Sequence, residues 1–223
     1  MNNKFMPRTH RNSRSVYLDQ TFGLEEPFLQ KMKQAVESEG VEHMQISAHE
    51  AKILQFLVQV SKVKKVVEIG TLYAYSAFHI ATALPRDGQV WTIDHNSHRH
   101  EVSQEILKNS PVAKKINWLC GPALEQLKFL ESLAPFDMIF IDADKEPYLK
   151  YLNWAEKNLK KGALLVADNT FLFGAVYGES ERDSKPETIK IMREFNKRLA
   201  NSKLWQGALI PTQEGMTVSI KQT

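Results

Sequence analysis

The sequence is short of most features that fix or place a protein without a core. It has a single cysteine, Cys120, so no internal disulfide can form and a cytoplasmic setting is expected. Its apolar runs, such as Met138 to Ile141, are only a few residues long, far below the roughly 18 needed for a membrane span. The first residues are polar and basic (Lys4, Arg8, Arg11, Arg14) and carry no apolar stretch of the kind a secretory signal needs. There is no internal repeat, no low-complexity tract and no linker rich in Pro, Gly and Ser. Neither sign of charge dominates: 29 Lys and Arg face 26 Asp and Glu, a net +3. That balance permits an anionic partner without requiring one. What remains is 223 residues, 43% hydrophobic and 25% charged, enough to build a core without a metal staple and unlike a disordered or collagenous chain. The expected organisation is a flexible basic arm over residues 1–20 and one domain over 21–223.

Local patterns order the rest of the chain. Phe28, Leu29, Met32 and Val36 recur at helical spacing, and Gly40 is placed to end that helix. Ser47-Ala48-His49-Glu50 is a capping box ahead of Ile53, Leu54, Leu57 and Val58, which predicts a helix over about 48–60. A short β-branched run at 65–70 reads as a strand, and further short strands follow at 89–94, 116–120, 136–142 and 163–168. Helical stretches separate them at 76–84, 98–108, from Pro122 onward, and at 147–159. A helix over 185–200 and two closing strands, 204–210 and 216–221, complete the order. Strand alternating with helix argues for a parallel sheet covered on both faces, an α/β doubly wound fold.

In such sheets ligands bind beyond the carboxyl ends of the strands. Those ends are polar here: Glu68 and Gly70, then Asp94, then Asp142, then Asp168 with Asn169. One acidic strand end is commonly a helix cap, but several together point to a site. A carboxylate at the end of the second strand suits ribose hydroxyls, which both donate to it. The loop Gly70-Thr71-Leu72-Tyr73-Ala74-Tyr75-Ser76 has one glycine and so lacks the G-x-G-x-x-G pattern that admits a pyrophosphate. Glu68 would add negative charge beside any phosphate. A cationic, phosphate-free adenosine ligand fits better, and S-adenosylmethionine is one. Asp142, Asp168 and Asn169 offer oxygen donors with no Cys or His among them, which favours Mg²⁺ or Ca²⁺ over Zn²⁺. On spacing alone Asp168-Asn169 also reads as a turn cap.

The chain resembles the class I, metal-dependent O-methyltransferases of the catechol and caffeoyl-coenzyme A type over roughly 25–223. The resemblance rests on Met44-Gln45-Ile46-Ser47, Val67-Glu68-Ile69-Gly70-Thr71 with Tyr75-Ser76, Thr92-Ile93-Asp94, Gly121-Pro122-Ala123, Phe140-Ile141-Asp142-Ala143-Asp144-Lys145 with Tyr148, Asp168-Asn169, and Gly215-Met216-Thr217-Val218. It implies a Rossmann-like seven-stranded sheet, mostly parallel, with the last strand antiparallel. It implies S-adenosylmethionine held by Ile46, Glu68, Gly70, Thr71, Ser76, Asp94 and Ala123, with Asp142 and Asp144 as further members. It also implies a divalent cation on Asp142, Asp168 and Asn169, Lys145 acting with Asp142 in catalysis, a phenolic acceptor with vicinal hydroxyls, and a homodimer. Bacterial relatives that methylate 5-hydroxyuridine in tRNA supply the second reading. A nicotinamide-dependent oxidoreductase and a non-catalytic binding protein are the rivals from other classes; the missing glycines oppose the first, and the metal set with Lys145 opposes the second.

Three departures and several plain features qualify this expectation. Ala74 stands where the family loop commonly has glycine, Phe173 stands where plant members carry a substrate-touching asparagine, and the stretch from Ala123 to Phe136 is shorter than in those members. His95, His98 and His100 read as a solvated helix start and Cys120 as a small core residue. Phe171, Phe173 and Tyr177 read equally as an aromatic wall or as loop packing, and 179–184 as an exposed loop.

Overall fold

The computed structural model describes residues 13–23, 26–179, 184–200 and 202–223. Lys4, Arg8 and Arg11 of the basic arm and most of the 179–184 loop lie outside the described residues. Seven strands form one sheet in the order β3-β2-β1-β4-β5-β7-β6. The described residues separate into two compact units, one running up to Gln126 and the other from Leu127 to Thr223.

The first unit holds β1 (Lys65–Ile69), β2 (Gln89–Asp94) and β3 (Ile116–Cys120), paired in parallel. Its helices are α1 (Ser13–Phe22), α2 (Pro27–Glu39), α3 (Ala48–Val60), α4 (Tyr75–Ala83) and α5 (Ser97–Leu107); α6 (Ala123–Leu130) runs across the unit boundary. Residues 13–20, expected as part of a flexible arm, are helical in α1, which packs on α3. The local signals act as chemistry predicts. Pro27 opens α2 where its missing N–H costs nothing, and Gly40 closes it at φ 72°. Ser47 accepts from the Glu50 N–H while the Glu50 carboxylate accepts from the Ser47 N–H, the full capping box. α4 is buried on nearly every side, from Tyr75 to Ala81, as a helix apolar all round must be. The orphan carbonyls at its C-terminal end are met by Lys115, whose ammonium donates to Ala81 O at 3.0 Å and Leu84 O at 2.7 Å.

The second unit holds β4 (Phe136–Ile141), α7 (Tyr148–Asn158), β5 (Leu159–Ala167), α8 (Pro186–Ala200), β6 (Trp205–Ile210) and β7 (Met216–Lys221). β4 and β5 are parallel, and β7 runs antiparallel to both β5 and β6, as the family resemblance implies. β5 begins at Leu159, directly after α7, earlier than the sequence expectation. Lys221 repeats the device seen at α4: its ammonium donates to Glu156 O and Leu159 O at the end of α7. Tyr148, Phe195, Trp205 and the β4 residues Phe136, Met138 and Phe140 are buried in this unit's core.

Candidate active site

The chemistry in the first unit gathers at the carboxyl ends of β1 and β2. In-register pairing sets Glu68 beside Thr92 and Ile69 beside Ile93. Gly70 leaves β1 at φ 100°, and its N–H donates to Ile93 O. The chain then turns through Leu72 and Ala74, at φ 49° and 63°. Both are left-handed conformations costly to residues with a Cβ. The Asp94 carboxylate at the end of β2 holds this turn. One oxygen accepts from the N–H groups of Thr71 (3.2 Å) and Leu72 (2.9 Å), and the other from Asn96 N (3.0 Å).

Beneath the loop runs a buried line of polar groups. Thr92 Oγ1 donates to Glu68 Oε2 at 2.5 Å, Thr71 Oγ1 lies 2.6 Å from Thr92 Oγ1, and His100 Nε2 lies 3.1 Å from Thr71 Oγ1. The direction follows by counting hydrogens. Thr92 spends its hydroxyl hydrogen on Glu68, so Thr71 donates to Thr92, and His100 donates to Thr71 through Nε2–H. Burial pushes His100 below the ordinary imidazole value, against the opposing field of Asp94. The hydroxyl of Thr71 therefore points into this network, while its N–H is taken by Asp94 and its carbonyl by Ala74 N, so Thr71 supports the loop from within. Glu68 is wholly buried at the other end of the line.

The remaining members of the predicted set fall as follows. Ser76 lies in the first turn of α4 and is nearly buried; Ala74 at the N-cap provides no side-chain cap. Ile46 is buried just before α3, and Ala123 opens α6, half-exposed. His95 lies at the surface, its Nδ1 3.6 Å from Asp94. Cys120 corrects the expectation of a small core residue: it is exposed. β3 is the edge strand of the sheet, so its end lacks a covering neighbour.

The second unit carries polar chemistry of its own. β4 and β5 pair with Ile141 opposite Ala167, and Asp168 N donates to Ile141 O at 3.0 Å. That register brings Asp142 and Asp168, the next residues on each strand, side by side. Both charges act on the fully buried Tyr148, whose phenol is raised well above its ordinary value, first by burial and then by Asp142 and Asp168. Asp168 is fully buried, Asp142 half-buried and Asp144 exposed. Asn169 turns at φ 50° and its side-chain amide oxygen Oδ1 accepts from Phe173 N at 3.3 Å, which holds the amide in place and leaves that oxygen a second lone pair. Lys145 donates to Asp168 O at 3.0 Å and to the Tyr148 hydroxyl, and its ammonium lies 4.5 Å from the centroid of that ring. The Tyr148 hydroxyl lies 3.3 Å from both Ile141 O and Asp168 O, so one phenol ties the ends of β4 and β5.

Among the described residues no three His, Cys, Asp or Glu side chains gather as a metal cluster. The candidate set is two carboxylates and the amide oxygen of Asn169. All are oxygen donors, and that chemistry fits a hard divalent cation. Phe171 and Tyr177 stack edge to face at 5.3 Å. The ring of Phe171 also covers Gly215, where a Cβ would meet it at 2.6 Å, so loop packing accounts for Phe171. Thr92, His100 and the Tyr148 tie escaped sequence reasoning. A polar residue at an inward position of an apolar strand was the available signal for Thr92.

Comparisons with known proteins identify the family and the fold. Residues 15–222 match the family model described as O-methyltransferase. A catechol O-methyltransferase of Niastella koreensis is 31% identical over 211 residues, covering 92% of this chain and 94% of that protein. A caffeoyl-CoA O-methyltransferase of Populus kitakamiensis is 31% identical, covering 78% of this chain and 77% of its own. Among solved structures, the O-methyltransferase TomG of Streptomyces achromogenes, in complex with S-adenosylmethionine, superposes with a TM-score of 0.87 at 31% identity, over 98% of this chain and all of its own.

Proposed function

The chain belongs to the O-methyltransferase family, and we propose that it methylates one hydroxyl of a vicinal dihydroxy aromatic acceptor with the help of a divalent cation. That it is an S-adenosylmethionine-dependent O-methyltransferase of the catechol and caffeoyl-CoA type follows from the family match, the curated relatives and the cofactor-bound structural neighbour. The observation that carries the finer reading is the in-register placement of Asp142 and Asp168 at adjacent strand ends, with Asn169 next in the chain. No helix among the described residues is long and apolar enough to cross a membrane.

The chain's own groups divide the work. Gly70 gives the donor close approach, Thr71 supports the turn from within, and Asp94 keeps that turn in shape while facing the ribose. The N-terminal end of α4, with the Ser76 hydroxyl and no side-chain cap, suits the carboxylate of the methionine portion. Ile46 and Ala123 supply apolar contact to the methionine and adenine ends. In the second unit Asp142, Asp168 and Asn169 would hold the cation. Its charge favours the ionised form of a nearby hydroxyl at neutral pH. Lys145, fixed by Asp168 O and Tyr148, stabilises negative charge on the acceptor oxygen. Tyr148 stays protonated and keeps Lys145 in place. In the transfer itself the acceptor oxygen forms a bond to the methyl carbon as the carbon–sulfur bond breaks, and the sulfonium becomes a neutral thioether. Alignment of the two reactants is the protein's main contribution.

Methyl transfer from labelled cofactor to a simple catechol, with Mg²⁺, tests this reading. Activity lost on chelation and restored by added Mg²⁺ is the expected result, and a folded Asp142→Ala variant should be inactive. Activity that ignores chelator, or full turnover in that variant, overturns the cation assignment. Undermodified tRNA as a parallel acceptor separates the two substrate classes: methylation of tRNA without catechol turnover would replace the acceptor proposed here.

A further inference from the structure

We propose that Glu39 is a positioning residue for the methyl donor: its carboxylate joins Tyr73 to Arg99 and so fixes the turn over residues 70–75 in the shape that receives S-adenosylmethionine. The inference rests on the cofactor reading above.

Glu39 is the last residue of α2, and Gly40 turns the chain away behind it. Its Oε2 accepts from the Tyr73 hydroxyl at 2.7 Å. Arg99 grips the same carboxylate from α5: Nε donates at 3.2 and 3.0 Å to the two oxygens, and its terminal nitrogen donates to Oε1 at 2.6 Å. The Arg99 side chain is only 12% exposed and that of Glu39 35%. Each charge stands at the wrong end of its helix. A carboxylate in the last turn of α2 and a guanidinium in the first turn of α5 both oppose the local dipole. Neither helix is served by its charge, so the use of the two lies in their pairing. The donors hold Glu39 ionised: its carboxyl is lowered by Arg99 first and Tyr73 second. The Tyr73 phenol is raised by burial and by Glu39, and remains a donor.

The contacts close a ring. Tyr73 stands between Leu72 and Ala74, the two residues in left-handed conformation. Leu72 N binds Asp94, Asp94 binds Asn96 N, the Asn96 side chain accepts from Arg99 N, and Arg99 binds Glu39. Strained backbone of this kind persists only where its surroundings over-determine it. Asp94 fixes the near side of the turn, and Glu39 through Tyr73 fixes its outer side. Glu39, Tyr73 and Arg99 have no part in the methyl transfer proposed above and act only through the turn.

The test is calorimetric titration of S-adenosylmethionine into wild type, Glu39→Ala, Tyr73→Phe, Glu39→Gln and the Glu39→Ala/Tyr73→Phe double variant, with KM measured for cofactor and acceptor separately. If loss of the tie leaves the turn competent a tenth of the time, Kd rises about tenfold. KM for the cofactor should follow, with KM for the acceptor unchanged. The double variant should fall well short of the product of the single effects, and Glu39→Gln, which keeps an acceptor for Tyr73, should recover part of the loss. A merely structural role lowers the melting temperature and leaves Kd within twofold of wild type, and that result overturns the inference. Should Glu39→Ala fail to fold, Tyr73→Phe decides the matter, since it removes one hydroxyl. A wild-type protein that does not bind the cofactor overturns the cofactor reading itself, an outcome distinct from unchanged affinity in the variants.

Discussion

Replacing His79 with leucine should stabilise this protein, although His79 lies fully buried in the middle of α4. Among the described residues neither buried ring nitrogen has a hydrogen-bond partner, and aromatic rings flank it: Tyr75 at 4.8 Å and Phe78 at 6.0 Å between centroids. A buried polar atom that makes no hydrogen bond costs about 1–3 kcal/mol. Leucine has similar bulk and no polar atom, so the expected gain is about 1–3 kcal/mol, or roughly 2–10 °C in melting temperature for a chain of this size. The effect should also depend on pH. Burial, with Lys52 and Lys33 adding repulsion, pushes His79 down to about 3 from an ordinary 6.5. Only the unfolded chain takes up this proton between those values, so the histidine adds no pH-dependent penalty above pH 6.5, and the wild type loses stability steadily as pH falls from there toward 3. The slope is about 1.4 kcal/mol per pH unit below 6.5, or about 2 kcal/mol by pH 5. Thermal unfolding of wild type and His79→Leu, followed by circular dichroism at pH 7.5 and pH 5, should show the variant ahead at both and its lead widening in acid. A variant less stable than wild type at pH 7.5, or a lead that does not grow on acidification, refutes the reasoning.

Two further changes probe the frame around the site. Ala74→Gly relieves a left-handed residue with a Cβ, worth about 1–2 kcal/mol, against a smaller entropic cost in the unfolded chain; a rise of about 0.5–1 kcal/mol in denaturant unfolding is expected, and a loss would mean that the methyl group packs usefully. Lys115→Met removes the ammonium that closes the end of α4 through Ala81 O and Leu84 O and should cost about 1.5–3 kcal/mol, read in the same unfolding assay; an unchanged midpoint would show that water satisfies those carbonyls as well.

The sequence disclosed strand ends better than it disclosed partners, for a physical reason. Element order is written in local signals: the capping box at Ser47 and Glu50, Gly40 after α2, short apolar runs separated by helical periods. Parallel pairing then does the rest. Once β4 and β5 lie in register, Asp142 and Asp168 must be neighbours, so a motif that names strand ends names a site. Side-chain direction has no such local sign. Thr71 reads as a loop residue facing ligand, yet its hydroxyl lies between Thr92 and His100 in the interior. His95 and His100 read as one solvated group, but the helix turns His100 inward and leaves His95 outside. Cys120 belongs to a residue type that is usually buried, and only its place on an edge strand exposes it. The tie from Glu39 to Arg99 spans 60 residues, and its one trace in the sequence is negative: two charges, each at the helix end that disfavours it. Such a misfit becomes visible once helix boundaries are known, and it marks residues retained for a contact that the helices themselves do not require.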